Sequence, residues 1–257
     1  MTGCEVIREE ERLLPATSVQ AESNALLIEF TGFLCVNCPL AAEEAHQLQK
    51  AFGDHLTIVA MHPADNHFTQ TKNAEYDYTC PEANTYYRYF GGTSTTPFPT
   101  GTVDMQNGWL DYPSWATAVL ASVTHKKSGH VSLTSTPTAD SDSLCDIQAA
   151  VSVEPDKHYP QGTSRPVQLL LWLVTDSLTG AQMMPDGSTN LAYTHRHLLR
   201  GSVFEDPWGV TLACEAGGEP TSLETAAPII ADRLVAVLLD AETKELLDVE
   251  EYKMKTN

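Results

Sequence analysis

Apolar residues along the chain fall into short, bounded runs. Ala25–Phe30 is an almost continuous apolar run of strand length and predicts a buried strand. From Pro39 to Phe52 the spacing becomes helical, with Leu40, Ala41, Ala45, Leu48 and Phe52 recurring at threes and fours. Pro39 suits a first helical turn and Gly53 ends the helix. Leu56–Met61 predicts a second buried strand, which makes a βαβ unit with parallel pairing. Residues 62–80 are polar and long for a plain connection, so they read as an insertion near a functional edge. Pro81–Phe90 predicts a helix stopped by Gly91-Gly92, Thr100–Met105 a strand, and Tyr112–His125 a helix with Trp115, Val119 and Val123 on one stripe.

The pattern changes after Lys127. Ser132–Ser143 is rich in Ser and Thr, and strand patterns follow it. Cys145, Ile147, Ala149, Val151 and Val153 alternate with polar or small residues, as in a half-buried strand. Leu191–Leu199 alternates in part, and Trp208, Val210, Leu212 and Cys214 share a face. Val167–Val174 and Leu234–Leu239 are apolar on both faces, and the second leads through a turn into a last strand, Leu246–Tyr252. Short strands without a long helix predict a β-sandwich. Strands apolar on both faces need cover on both, so one face is expected on the opposite sheet and the other on the first domain. Three regions result: a polar, acidic arm or tether over residues 1–24, an α/β domain over 25–127 and an all-β domain over 128–257.

Composition narrows the function classes. Asp plus Glu number 34 against 15 Lys plus Arg, a formal charge of −19. A chain so acidic lacks the basic footprint of nucleic-acid binding and the polybasic patch that docks on anionic lipid. No apolar run reaches the roughly 18–20 residues of a membrane helix. Thr2-Gly3-Cys4 has the form of the last residues of a bacterial lipobox, where the cysteine is lipidated after the leader is removed.

Of six cysteines only Cys35 and Cys38 are close in sequence. A zinc site would need a second such pair or a spaced His pair, and a c-type haem would need His where Pro39 stands. Lying between a buried strand and a helix, the pair has the redox placement. Cys35 is expected at the helix N-terminus, where unpaired N–H groups favour a thiolate, and Cys38 one turn in as the shielded resolving thiol. No Gly-rich phosphate loop, nucleophile elbow or His-Glu-X-X-His is present, and neither cofactor nor metal is expected.

The segment LLIEFTGFLCVNC resembles the strand–turn–Cys-X-X-Cys entry of the thioredoxin-like superfamily. The resemblance covers about residues 20–127. It implies that Glu29 moves a proton to and from Cys38, that Pro99 in Thr96–Thr100 is the cis-proline facing the disulfide, and that Phe98 with Pro99 shapes a substrate groove. Over the whole chain EFTGFLCVNCP, FPTG, YTHRHLLRGSVFEDPWG and VAVLLDAETKELLDVEE resemble the Gram-negative envelope family named for its 28-kilodalton outer-membrane protein. That resemblance implies a lipoprotein held to the outer membrane only through Cys4, with a thioredoxin-like domain; the strand pattern that follows is expected to form an immunoglobulin-like β-sandwich. Its partner is then a thiol or disulfide client, or another envelope protein bound by a non-catalytic scaffold in which Cys35–Cys38 is a structural disulfide.

Other residues carry two readings each. Cys80, before Pro81, is a third redox thiol or a buried one. Cys145 and Cys214 bridge the sheets or are two core thiols. His195 and His197, with Tyr193, would share one strand face, as metal ligands or as a polar cluster near a domain interface. His62, His67 and Asp65 sit in the insertion, near where the cysteine pair should lie.

Overall fold

The computed structural model describes residues 20–106, 108–138 and 143–254. Cys4 and most of the expected arm lie outside the described residues.

The chain begins with β1 (Ala25–Phe30), α1 (Cys38–Phe52) and β2 (Leu56–Met61), and β1 and β2 pair in parallel with Ala25 opposite Leu56 and Phe30 opposite Met61. After the 62–80 segment come α2 (Pro81–Tyr89), β3 (Thr100–Val103), antiparallel to β1, and α3 (Trp115–Val123). Two of these are shorter than their sequence patterns predict. The segment before Trp115 is a 3-10 turn, Tyr112–Ser114, holding Pro113. β3 stops at Val103 because Asp104 and Met105 take left-handed backbone, φ 56° and 58°. The Asp104 carboxylate then accepts from the Leu26 N–H and the Ser122 hydroxyl and pairs with the buried Lys127.

Ten strands follow: β4 (Gly129–Pro137), β5 (Leu144–Val153), β6 (Ser164–Thr175), β7 (Leu178–Met183), β8 (Thr189–His195), β9 (Leu198–Ser202), β10 (Val210–Glu215), β11 (Thr221–Pro228), β12 (Arg233–Asp240) and β13 (Leu246–Lys253). The organisation is α/β up to Val123 and all-β from Gly129. Five of these strands differ from the sequence reading. β4 runs into the Ser/Thr-rich stretch because Val131 and Leu133 alternate inward and bury. The expected strand Leu191–Leu199 is two strands, β8 and β9, broken where His197 takes φ 57°. β7 and β11 were not visible as apolar patterns.

The strands form a mixed eight-stranded sheet ordered β13-β12-β6-β9-β2-β1-β3, with β10 also on β6, an antiparallel three-stranded sheet β11-β5-β4, and the hairpin β7-β8. The large sheet joins the two halves. Its junction is β9 beside β2, where Ala60 stands opposite Leu198 and the Ala60 N–H donates to the His197 carbonyl at 2.7 Å. β6 and β12 are apolar on both faces, as expected, because each face meets a different core. Leu169, Leu171, Leu173, Leu234, Ala236 and Leu238 pack against β4 and β5. Leu170, Trp172, Val174, Val235, Val237 and Leu239 pack with Leu26, Ile28, Phe30, Val59 and Met61 of the α/β part. Within that second core the Trp172 indole N–H donates to the Tyr86 hydroxyl at 2.8 Å. The opposite face of β1–β2 is covered by α1 and α3, through Leu48, Phe52, Trp115 and Val119.

Candidate functional site

Cys35 and Cys38 form a disulfide, with Cα atoms 5.4 Å apart. A turn in which the Cys35 N–H donates to the Gly32 carbonyl (3.0 Å) and the Cys38 N–H to the Cys35 carbonyl (3.3 Å) brings them together. Cys38 is the first residue of α1 and Pro39 lies in its first turn. Cys35 therefore stands in the turn just ahead of the helix N-terminus, and Cys38, expected one turn in, is instead the first helical residue. Both cysteines are buried, 1% and 2% exposed. The outward skin of the turn is Val36, Asn37 and Leu40, of which Asn37 and Leu40 are exposed.

Two segments close over the pair. The 62–80 segment covers one flank. The Leu34 N–H donates to the Phe68 carbonyl at 3.0 Å, and a Cβ on Gly32 would meet that carbonyl oxygen at 2.6 Å, so only glycine allows the approach. Phe98, which the resemblance implies shapes a substrate groove with Pro99, is buried, stacked on Phe68 with centroids 5.9 Å apart and edge-on to Tyr87. The Phe98–Pro99 peptide is cis and Pro99 is half-buried.

The hairpin β7-β8, which belongs to the all-β half, covers the other flank. The buried Gln182 amide donates to the Cys35 carbonyl at 2.9 Å and to that of Gly32 at 3.3 Å, and the Met183 N–H donates to the Phe33 carbonyl at 2.8 Å. Tyr78 ties the two covers together, its hydroxyl accepting from the Ala181 N–H at 2.8 Å and pressing on Gly180, where a Cβ would clash with it. The roots of the hairpin are anchored too. Arg233 donates to Asp176, just before β7, at 2.7 Å and to His197, just after β8, at 3.0 Å. His197 thus serves this ion-pair cluster while His195 faces the disulfide side, so they do not share a face as the sequence suggested.

Behind Cys38 lies a cavity of about 30 Å³, lined from β1 by Glu29, from α1 by Cys38 and Ala42, from β2 and its exit by Ala60 and His62, and from the hairpin side by Gln182, Tyr193, His195 and Arg196. Glu29 is 3% exposed, and burial pushes its carboxyl up to about 8, with Thr31 pulling weakly the other way. Burial also holds the His62 imidazole well below its usual range and lowers His195 to about 4. These rings pack together: His62 lies 5.6 Å from both Tyr78 and His195, and Tyr78 4.5 Å from His195. The polar-cluster reading of His195 is the one the structure matches. The sequence missed the hairpin that delivers it, although Pro185-Asp186-Gly187 is a turn signal; Gly187 takes φ 81° there and Asp186 accepts from Ser188.

The remaining candidates lie apart. Cys80, Cys145 and Cys214 are buried free thiols, which settles the second pair as core thiols, and burial pushes Cys80 up to about 12. His67 bonds the Ser94 carbonyl and Asp65 pairs with Arg88, so neither joins His62. Among the described residues no three His, Cys, Asp or Glu side chains are grouped to hold a metal ion.

No protein-family model matches the chain, and no curated protein matches it. Two solved structures are similar over nearly its whole length. HBP35 of Porphyromonas gingivalis superposes with a TM-score of 0.65 at 15% identity, over 92% of this chain and 77% of that one. A structural-genomics target from Agrobacterium tumefaciens superposes with a TM-score of 0.56 at 12% identity, over 93% of this chain and all of the other. At these identities the likeness is one of fold.

Proposed function

We propose that the chain is a cell-envelope lipoprotein, held to the outer membrane through a lipid on Cys4, whose thioredoxin-like half exchanges disulfides with a protein client at Cys35–Cys38. In this reading the all-β half is an immunoglobulin-like sandwich, and the chain is a member of the envelope family that its sequence resembles. The observation that carries the exchange reading is Glu29. A structural disulfide has no use for a buried carboxyl, and burying one is costly. Here the carboxyl shares a small cavity with Cys38, and burial pushes it up to about 8, where it can hold or release a proton in the range in which thiols react.

In the reduced protein the Cys35 thiolate attacks a client disulfide, forms a mixed disulfide and expels one client thiolate. Cys38 gives its proton to the Glu29 carboxylate, and its thiolate attacks the Cys35 sulfur. The Cys35–Cys38 bond forms, the second client thiolate leaves, and the client has gained the two electrons the protein lost. The reverse sequence oxidises a client, with protonated Glu29 returning the proton to Cys38. The exposed Leu40 beside the turn offers an apolar contact to a client chain.

The second reading, a binding scaffold with a structural disulfide, draws on the burial of both sulfurs under the hairpin. One experiment separates the two. Equilibration against glutathione or dithiothreitol with mass readout is expected to give a potential between roughly −120 and −270 mV, and Cys38→Ser to trap client mixed disulfides that Cys35→Ser does not. A potential well below about −300 mV, with nothing trapped, refutes exchange and leaves the scaffold.

A further inference from the structure

Two polar atoms behind the disulfide have no hydrogen-bond partner among the described residues: Glu29 Oε1 and His62 Nδ1. Their residues are 3% and 2% exposed. Buried polar atoms without partners are rare in folded proteins. Strand register puts these two on one side of the sheet. Glu29 stands opposite Ala60, and His62 lies two residues beyond Ala60. Both residues line the cavity of about 30 Å³ behind Cys38. A single water needs roughly 10–15 Å³ and two to four polar partners.

We propose that Glu29 and His62 hold one water between them in this cavity, and that His62 is thereby a positioning residue for proton transfer at Cys38. The inference rests on the exchange reading of the same site. The His62 tautomer it requires carries its hydrogen on Nε2, so that Nδ1 accepts from the water while the water accepts from the Glu29 acid. When Glu29 ionises, the water turns and donates to the carboxylate. His62 thus fixes where the solvating water sits, and the carboxylate needs that water in order to exist between turnovers. The groups facing the pair are Thr31 from β1, Cys38 from α1, the Tyr78 ring from the 62–80 segment, and Tyr193, His195 and Arg196 from the hairpin side, with the Arg200 charge also bearing on His62. Burial keeps both histidines neutral at pH 7, so neither contributes a full charge to Glu29.

The test is a carbon-13 titration of the Glu29 carboxyl in the oxidised protein, its resonance assigned with Glu29→Gln. His62→Leu removes the second anchor of the water and leaves the carboxylate drier, so the midpoint is expected to rise by about one pH unit or more. His62→Gln keeps a hydrogen-bonding end and is expected to restore it. Ala42→Leu fills the cavity from α1 without touching either group and is expected to raise the midpoint in the same direction. The rate of disulfide reduction by dithiothreitol, corrected for the reagent's thiolate fraction, is expected to bend at the same shifted pH in each variant. A midpoint unmoved in His62→Leu or in Ala42→Leu, or moved as far by His62→Gln, overturns the inference. The carboxyl titration needs no client, so it decides the role of His62 even if trapping with Cys38→Ser refutes exchange.

Discussion

If the hairpin controls access to the disulfide, loosening it alone should make the sulfurs reactive. Gln182→Ala is the cleanest perturbation. The Gln182 amide spans the gap to the turn with bonds to the Cys35 and Gly32 carbonyls. Both carbonyls keep a second donor, the Cys38 and Cys35 N–H groups, so the substitution orphans neither. The loss is then about 1 kcal/mol for each net hydrogen bond, roughly 2 kcal/mol in all. The Met183 and Tyr78 bonds remain. Two kcal/mol corresponds to roughly a 30-fold increase in the open population. Because both sulfurs are buried, reduction follows that population when reclosing is fast. The assay is the rate of reduction by dithiothreitol in native buffer, read by mass, and the expected rise is roughly 10- to 30-fold. Leu133→Ala is the control. It leaves a hole in the core between β4 and β6 and lowers global stability by about 2–5 kcal/mol without touching the cover. An unchanged rate in Gln182→Ala, or an equal rise in Leu133→Ala, would show that the sulfurs become accessible without the hairpin moving by itself.

Three further outcomes follow from the same structure. Folded Glu29 holds its proton up to about pH 8 while the unfolded residue releases it near 4.5, so the folded chain binds more protons in between and stability falls as pH rises through that window. Glu29→Gln is expected to remove this slope and gain on the order of 4 kcal/mol over the unaltered chain above pH 8, checked by urea unfolding at about pH 5 and about pH 9; an unchanged slope rejects the assignment. Trp172→Ala, at a fully buried side chain that bonds Tyr86, is expected to cost about 3–5 kcal/mol and to lower the signals of both halves in one transition, and two separate calorimetric transitions would count against a shared core. Cys80, Cys145 and Cys214 should resist iodoacetamide in the native protein and react on unfolding, and native labelling of Cys80 at pH 8 would contradict its burial.

The sequence was most legible where one local pattern settles an element. The helix from Pro39 to Gly53 needed only its spacing, a proline at the start and a glycine at the end. The two-sided apolar character of β6 and β12 gave away their double cover. The signal failed where tertiary pairing overrides a weak pattern. β4, β7 and β11 carry Ser, Thr, Gly and small residues, and they are strands because neighbouring strands accept their hydrogen bonds. The site divides in the same way. Cys35 and Cys38 stand out because they lie within one strand–turn–helix unit, whereas Glu29 and Pro99 were singled out only through the family resemblance. Gln182 and His195 reach the disulfide from about 150 residues away, and no local pattern announces a contact between the hairpin and the Cys35 turn. His62 could be noticed but not interpreted, since the rings packed against it are Tyr78 of the 62–80 segment and His195 from the hairpin of the other half.

The order of the covering segments along the chain has a kinetic consequence. β1, α1 and β2, with both cysteines, are complete by Met61, whereas the hairpin begins at Leu178, 140 residues after Cys38. A chain that folds from its N-terminus thus makes the turn and helix that hold the two cysteines before the hairpin that covers them. Once the hairpin is in place, the exposure of the bond is set by how often two short strands lift from the turn beneath them.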